Sequence, residues 1–553
     1  MMYLGHPRER DAFRTITGEI MNHVNPYTNA AWKDEPTIAI WECFNEQYYG
    51  FILIPADFEK KYPEEAAFFR KRWSEFLQKK YAGKPDSALP EALRGGKLAH
   101  PPLPFQIRSL RQDYNEFCYE CIRETHRFYL TTCRSFGYRG LVANNPTSSL
   151  FYSRAIWTEL PMVDSHNYYA HPSNLLNRGS KCISDSSVAE QTPAFRGLNN
   201  QRLYGFPMWV GEYNHCFWNP YQHELPLAFT AYAALNGYSG LMIHSDTVEL
   251  ERPYNLIRNF EVSDSPVARA GEFLAAMLFR RGDVKTSPHR VVLAIPANYQ
   301  KGIPGEQSKL ALLTGFATAH PGLPRFAEIP EPDAPHLMLT PSGKPMQVTM
   351  HRLYAKYTDA ADSNFSWPKI LQELKQRKIL PHDNISDPAR GVFQSDTGEI
   401  TLRAKEKLIK VVTEKTEAVS LTAHTKERLG ILEVKDSSVD ALIGLTAIDN
   451  VPLRNSRRMV LIFSTQMANN GMHLEGDRET LVNIGETRGL MQTGRVSLSA
   501  ELSGRKYLCY PLNINGTRRT PIPVPVNNGR LELTLDTSEL PEGPTPFFEL
   551  VAQ

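Results

Sequence analysis

Two stretches of this chain share one design, a short, mostly apolar run that stops abruptly at a carboxylate. The first, Thr37-Ile38-Ala39-Ile40-Trp41-Glu42-Cys43-Phe44-Asn45-Glu46-Gln47, follows Lys33-Asp34-Glu35-Pro36. Its length and its β-branched and aromatic content read as a buried strand of a parallel sheet, not as a helix. The second, Gly205-Phe206-Pro207-Met208-Trp209-Val210-Gly211-Glu212-Tyr213-Asn214-His215, ends in the same way. Parallel α/β sheets gather functional groups at the C-terminal ends of their strands, where loops shape a site over a rigid floor. Glu46 and Glu212 are therefore expected to face each other across one cleft.

The remaining sequence supplies helices and strands in alternation. Phe13, Ile16, Ile20, Met21 and Val24 follow helical spacing from Glu9 to Val24, and Asn25-Pro26 stops the run. Pro63 to Tyr81 and Leu110 to Phe136 read as helices on either side of a Pro- and Gly-rich loop at 82–105. Arg139 to Asn145 is a short strand ending in two amides, Asn144 and Asn145. These suit hydrogen bonding to ligand hydroxyls, and equally a turn before Pro146. Met162 to Tyr169 is a strand carrying His166 and Tyr168, and the long polar segment from His171 to Tyr204 is expected to overhang the cleft. Glu224 to Asn236 reads as a helix, Ser239 to Asp246 as a strand bearing His244, and Pro266 to Arg280 as a further helix. Trp218, in the loop after Glu212, is placed to stack on a ligand ring, whereas Trp41 and Trp209 sit inside apolar runs and read as core.

Two glutamates closing parallel strands form the arrangement that glycoside hydrolysis needs. Asn45-Glu46 at one strand end, His166-x-Tyr168 on a later strand and Glu212 closing the next resemble, in that order, the signature of clan A retaining glycoside hydrolases. Asn25-Pro26-Tyr27-Thr28 with Asp34-Glu35-Pro36 is similar to bacterial members related to the cellulase/mannanase and β-galactosidase-type families. So are Gly211-Glu212-Tyr213-Asn214-His215 with Asn219, Tyr221 and Glu224, and Phe279-Arg280-Arg281-Gly282-Asp283-Val284. The likeness covers the first half of the chain well and the second half loosely.

The resemblance implies an α/β fold, a (β/α)8 TIM-barrel-type catalytic domain over residues 1–284 that carries strands 4 to 8. It implies Glu46 as acid/base on strand 4 and Glu212 as nucleophile on strand 7. Asn45 would bond the sugar 2-hydroxyl, Tyr168 would orient Glu212, and Asn144, Asn145, His166, Trp218 and His244 would complete the substrate site. His244 stands near the place where many clan members carry tryptophan. About five βα units precede Val284, whereas a closed barrel needs eight. The N-terminal part with strands 1 to 3 is apparently absent, so a chain or segment supplying those strands is an expected partner. The implied reaction is double displacement on a β-linked oligo- or polysaccharide such as a galactoside, glucan or mannan, without cofactor or metal. A carbohydrate-binding relative without catalysis and a transglycosylase are the alternatives.

Composition adds exclusions. A chain of 553 residues with 62 basic and 60 acidic side chains has no basic block to serve a nucleic-acid surface, and its apolar runs are too short for a membrane span. Seven scattered cysteines do not make a disulfide framework, and Cys118, Cys121 and Cys133 read as buried small hydrophobes, not zinc ligands. The N-terminus shows no signal peptide, although a full-length family member is expected to be periplasmic or secreted. The length calls for two or three domains. After the catalytic domain we expect an α/β connector at 285–390. Alternating strands such as Ile400–Arg403, Leu408–Val412, Met459–Phe463 and Leu531–Leu535 indicate a β-sandwich at 391–553.

Overall fold

The computed structural model describes residues 1–47, 57–105, 107–145, 156, 159–199, 201–202, 206–244, 256–288, 292–294, 327–329, 367–376, 378, 380–502, 505–527 and 530–553. Helix α1, Pro7–Asn22, begins with proline at its first position, where the fixed φ suits a helix and no amide is lost. Its inward face is Phe13, Thr17, Gly18 and Met21. At Gly18 the ring of Phe136 packs so closely that a Cβ would lie 2.7 Å from it. This contact fixes the rotation of the helix and leaves Ile16, Ile20 and Val24 as a stripe exposed to solvent. The spacing had grouped all five apolar residues together; the structure divides them between two faces.

Strands β1, Ile40–Glu42, and β2, Leu141–Ala143, pair in parallel. Strands β3, Val163–Tyr169, β4, Met208–His215, and β5, Gly240–Ile243, form a second parallel sheet in that order. In the chain, β1 and β2 are separated by helices α2, Pro63–Tyr81, and α3, Arg111–Ser135, whose contact buries Phe69, Trp73 and Phe117. The two sheets share no ladder among the described residues, and those residues do not close a barrel. Helix α4, Leu225–Asn236, is buried along its entire length. It is apolar all round because it is covered on every side. One cover is helix α5, Pro266–Ala275, and another is the antiparallel strand pair Leu408–Val412 and Thr416–Leu421.

The C-terminal region is a large antiparallel β region. A nine-stranded sheet runs from Val392–Gln394 at one edge to Ile522–Pro523 at the other, and a five-stranded sheet lies beside it. Apolar side chains from both, including Leu445 and Phe463 of the first and Val434 and Leu498 of the second, form one core. Of the segment 285–390, the described parts are the parallel pair Val292–Ala294 and Ala327–Ile329, a helix at Trp367–Gln376 and the residues leading to Arg390. The Pro-rich interruption at 330–332 lies outside them, as does the end of the strand expected to reach Asp246.

Packing of α5 against β4 has a pH consequence. Tyr213, stacked on Phe229, donates from its hydroxyl to Glu272 Oε2 at 3.4 Å, and Glu272 Oε1 is buried without a partner. Burial pushes the Glu272 carboxyl up to about 8. The folded protein thus holds a proton that the unfolded chain releases near pH 4.5, so this group's contribution falls as pH rises toward 8. Glu272→Gln is expected to match the parent near pH 5 and to exceed it by about 1–3 kcal/mol at pH 9. Denaturant unfolding of both proteins across that range checks this; a difference that does not vary with pH would refute it.

Candidate active site

The loop bearing Asn45 and Glu46 is tied down by the neighbouring strand. Beyond β1, Cys43 N donates to Ala143 O at 3.0 Å and Gln47 N to Asn145 O at 3.1 Å, which prolongs the parallel contact. Asn144 is buried, and its amide is used internally: Oδ1 accepts from Phe44 N at 3.1 Å, and Nδ2 lies 2.9 Å from His126 Nε2. Burial lowers His126 to about 4, so its ring is neutral and Nε2 can accept from the amide. Asn144 therefore fixes the backbone that carries Glu46. Asn145 is likewise buried, with an unpartnered Oδ1, and Asn45 is exposed.

Glu46 itself has φ +45°, a left-handed conformation that is costly for a residue with a Cβ. Strain of this kind persists where the surroundings impose it, and it clusters at functional sites.

Opposite Glu46, the register of β3 and β4 decides which side chains share a face. Ser165 pairs with Val210, but the next pair is His166 with Glu212, so Gly211 is an extra residue on β4. This bulge turns Glu212 to the face of His166. Without it, strict alternation would send Glu212 to the opposite side. As built, one ligand-type atom from each of Glu46, His166 and Glu212 lies within 4.8 Å of the others. His166 Nδ1 is 3.2 Å from Glu46 Oε1 and 3.5 Å from Glu212 Oε2. The Tyr168 hydroxyl donates to Glu212 Oε2. Burial, and then that bond to Glu212, raises the Tyr168 phenol, which keeps it a donor.

Aromatic rings wall the site around Tyr168. Phe260 lies with its centroid 4.5 Å from that ring, and His244 meets it edge-on at 5.8 Å. The backbone oxygen of His244 accepts from the Asn214 amide, which anchors the end of β5. Trp218 lies elsewhere: it is 1% exposed and packed edge-on against Phe217, so its ring offers no face to a cleft. The loop after β4 turns inward because the Asn219 amide donates to Ile183 O at 2.7 Å and draws the neighbouring tryptophan into the core.

A second acidic pair lies beneath the first. Glu42, Asp164 and His166 also place one atom each within 4.8 Å of one another. Burial, then Asp164 and Glu212, pushes the Glu42 carboxyl up to about 8, and burial raises Asp164 to about 7 against the amide of Gly211. Burial lowers the His166 imidazole in spite of the carboxylates beside it. Sequence reasoning missed Glu42, Asp164 and Phe260. Asp164 had a signal: it alternates with His166 and Tyr168, so the three lie on one face of an extended chain. The site can orient one carboxyl with a phenol donor and set a second against it across an imidazole.

No family model and no curated protein sequence matches this chain. Among solved structures, it is similar to a β-galactosidase from the psychrophilic Marinomonas ef1 at 11% identity, covering 100% of this chain and 84% of that one with a TM-score of 0.38. It is also similar to a cold-adapted β-galactosidase from Rahnella sp. R3 at 10% identity, covering 100% and 82% with a TM-score of 0.40. An exo-carrageenase from Bacteroides ovatus aligns at 8% identity over 88% of this chain and 63% of that one, with a TM-score of 0.30.

Proposed function

We propose that this chain is a retaining glycoside hydrolase in which Glu212 attacks the anomeric carbon and Glu46 serves first as acid and then as base. The observation that carries this reading is the approach of the two carboxyl groups, with one oxygen of each within 4.8 Å, Glu46 in the loop after β1 and Glu212 at the bulge of β4. Retaining enzymes hold their carboxyls about 5–5.5 Å apart, whereas inverting enzymes leave about 6.5–9.5 Å for a water. Tyr168 donates to Glu212 and so orients the nucleophile. When the glycosyl ester forms, the negative charge of Glu212 disappears, and Glu46 is then free to take a proton from water. Exposed Asn45 is the candidate for the sugar 2-hydroxyl, a contact that is worth most at the transition state.

The substrate in this reading is a β-linked galactoside, glucan or mannan, and no cofactor is called for. The domain division at 284 and 390, a barrel completed by a further polypeptide segment, and a C-terminal sandwich belong to the same proposal. The exposed stripe of Ile16, Ile20 and Val24 supports the segment, because apolar residues at helical spacing are normally covered. No described helix is long and apolar enough to cross a membrane.

Release of nitrophenol from a panel of 4-nitrophenyl β-galactoside, β-glucoside and β-mannoside tests the reaction class. Binding of the corresponding sugars without release would favour a non-catalytic relative, and transfer to an added alcohol in place of water would favour a transglycosylase. Tyr168→Phe is expected to lower kcat about 10–100-fold with little change in KM, because the Glu212 carboxylate leaving the glycosyl ester in the second step loses a donor to its developing charge. An unchanged kcat would remove Tyr168 from the mechanism.

A further inference from the structure

We propose that Glu42, Asp164 and His166 form a binding site for a first-row divalent cation, distinct from the pair of carboxylates assigned to glycosyl transfer. The cluster joins two strands that belong to different sheets: Glu42 ends β1, while Asp164 and His166 are alternate residues of β3. Their donor atoms lie within 4.8 Å of one another.

The imidazole supplies the independent evidence. The His166 side chain is 4% exposed, and its Nδ1 faces the carboxylates of Glu46 and Glu212. A neutral ring so placed carries its proton on Nδ1 and leaves the lone pair on Nε2. Nε2 is buried and has no hydrogen-bond partner. A Cβ built at Gly211 would lie 2.8 Å from both Asp164 Oδ1 and His166 Nε2, so any side chain there would crowd two of the donor atoms. A cation at this place would give that lone pair a partner. Among the described residues no lysine or arginine is ion-paired with Glu42, Glu46, Asp164 or Glu212.

The donor set fits the inference. Two carboxylates and one imidazole suit Mn2+, Fe2+, Co2+ or Zn2+ better than Mg2+ or Ca2+, which take oxygen ligands. Carboxylates bonded to the far nitrogen of a metal-ligating histidine are the usual means of fixing its tautomer, and Glu46 and Glu212 occupy that place. Glu42 reaches the cluster from its exposed side. Three protein ligands leave coordination positions open to water.

The test is titration of the chelator-stripped full chain with Mn2+, followed by calorimetry and by loss of the free-ion electron paramagnetic resonance signal, with Co2+ absorption as a report of nitrogen ligation. One equivalent is expected to bind. Asp164→Asn, Glu42→Gln and Gly211→Ala are each expected to weaken it about 10–100-fold or more. Gly211→Ala crowds two of the donor atoms while keeping every ligand. If Asp164→Asn does not fold, Glu42→Gln on the exposed side of the cluster decides the matter. No saturable binding to the parent, or binding that survives Glu42→Gln and Gly211→Ala, overturns the proposal. These readouts use no substrate, so metal binding without nitrophenol release would leave this site standing and remove the glycosidase reading. Hydrolysis by a chain that binds no ion would do the reverse.

Discussion

Glu212→Gln is expected to reduce hydrolysis of an aryl β-glycoside by about 10⁴-fold or more, because the amide is no nucleophile and the covalent route closes. The corresponding alanine variants separate the roles of the two carboxylates by product stereochemistry. In Glu212→Ala, azide can enter the vacated space and attack the substrate directly, giving an α-glycosyl azide from a β-glycoside. In Glu46→Ala the nucleophile remains, a glycosyl ester forms, and azide attacking that ester gives the β-anomer. Glu46→Gln should also be far more damaging with poor leaving groups than with dinitrophenyl glycosides, whose departure needs no proton. A Glu212→Gln protein with parental kcat, or the same azide anomer from both alanine variants, would refute the assignment. The short approach of the two carboxyls makes this a demanding test. At that distance no water fits between Glu212 and a sugar to rescue an inverting mechanism.

The strands that carry these groups were legible for a simple reason. A strand within a parallel sheet favours a largely apolar run, and the runs leading to Glu46 and Glu212 are conspicuous against a polar background, although β1 spans only Ile40–Glu42 and is at most half-buried; Met162 to Tyr169 stood out by its His166-x-Tyr168 pattern instead. The C-terminal strands were legible from alternation, and the nine-stranded sheet contains the expected Ile400–Arg403 and Leu408–Val412 as written. Facing direction was harder. Strict alternation along β4 groups Trp209, Gly211 and Tyr213 on one side, yet the bulge at Gly211 reverses the pattern and presents Glu212 beside His166. A bulge depends on the partner strand, and no local pattern announces it. The same limit explains Trp218: a tryptophan in a loop after a catalytic strand looks available, but its burial is set by the Asn219 contact with residues more than thirty positions earlier. Asn144 was singled out for its chemistry, and its amide is spent instead on holding the Glu46 loop in place.

Asp283→Ala is expected to destabilise the whole protein by about 3–5 kcal/mol, the cost of leaving a largely buried cation without its partner. Phe279-Arg280-Arg281-Gly282-Asp283-Val284 was marked by resemblance alone, and the structure gives it a physical task. Asp283 is 1% exposed on its side chain and takes two hydrogen bonds from the Arg281 guanidinium. It also accepts from the Thr416 hydroxyl at 2.6 Å. Arg281 in turn donates to Thr446 Oγ1 at 2.8 Å and to Ala447 O. Thr416, Thr446 and Ala447 belong to the nine-stranded sheet, so the pair fastens the end of the α5 region to it. Close by, Gly444 admits Leu274 of α5 so tightly that a Cβ would lie 2.3 Å from it. The large sheet therefore supports the helix whose Glu272 backs β4, the strand of Glu212. A double replacement, Arg281→Met with Asp283→Leu, should recover most of the loss, because it removes both charges and keeps the volume. Chemical denaturation followed separately by far-ultraviolet circular dichroism and by tryptophan fluorescence measures both effects. If Asp283→Ala shifts the transition by less than about 1 kcal/mol, as a solvent-screened surface pair would, the seam carries no weight. If instead the two probes shift together in the single variant, the antiparallel region and the parallel strands unfold as one unit, and the sheet is part of the scaffold that positions the site.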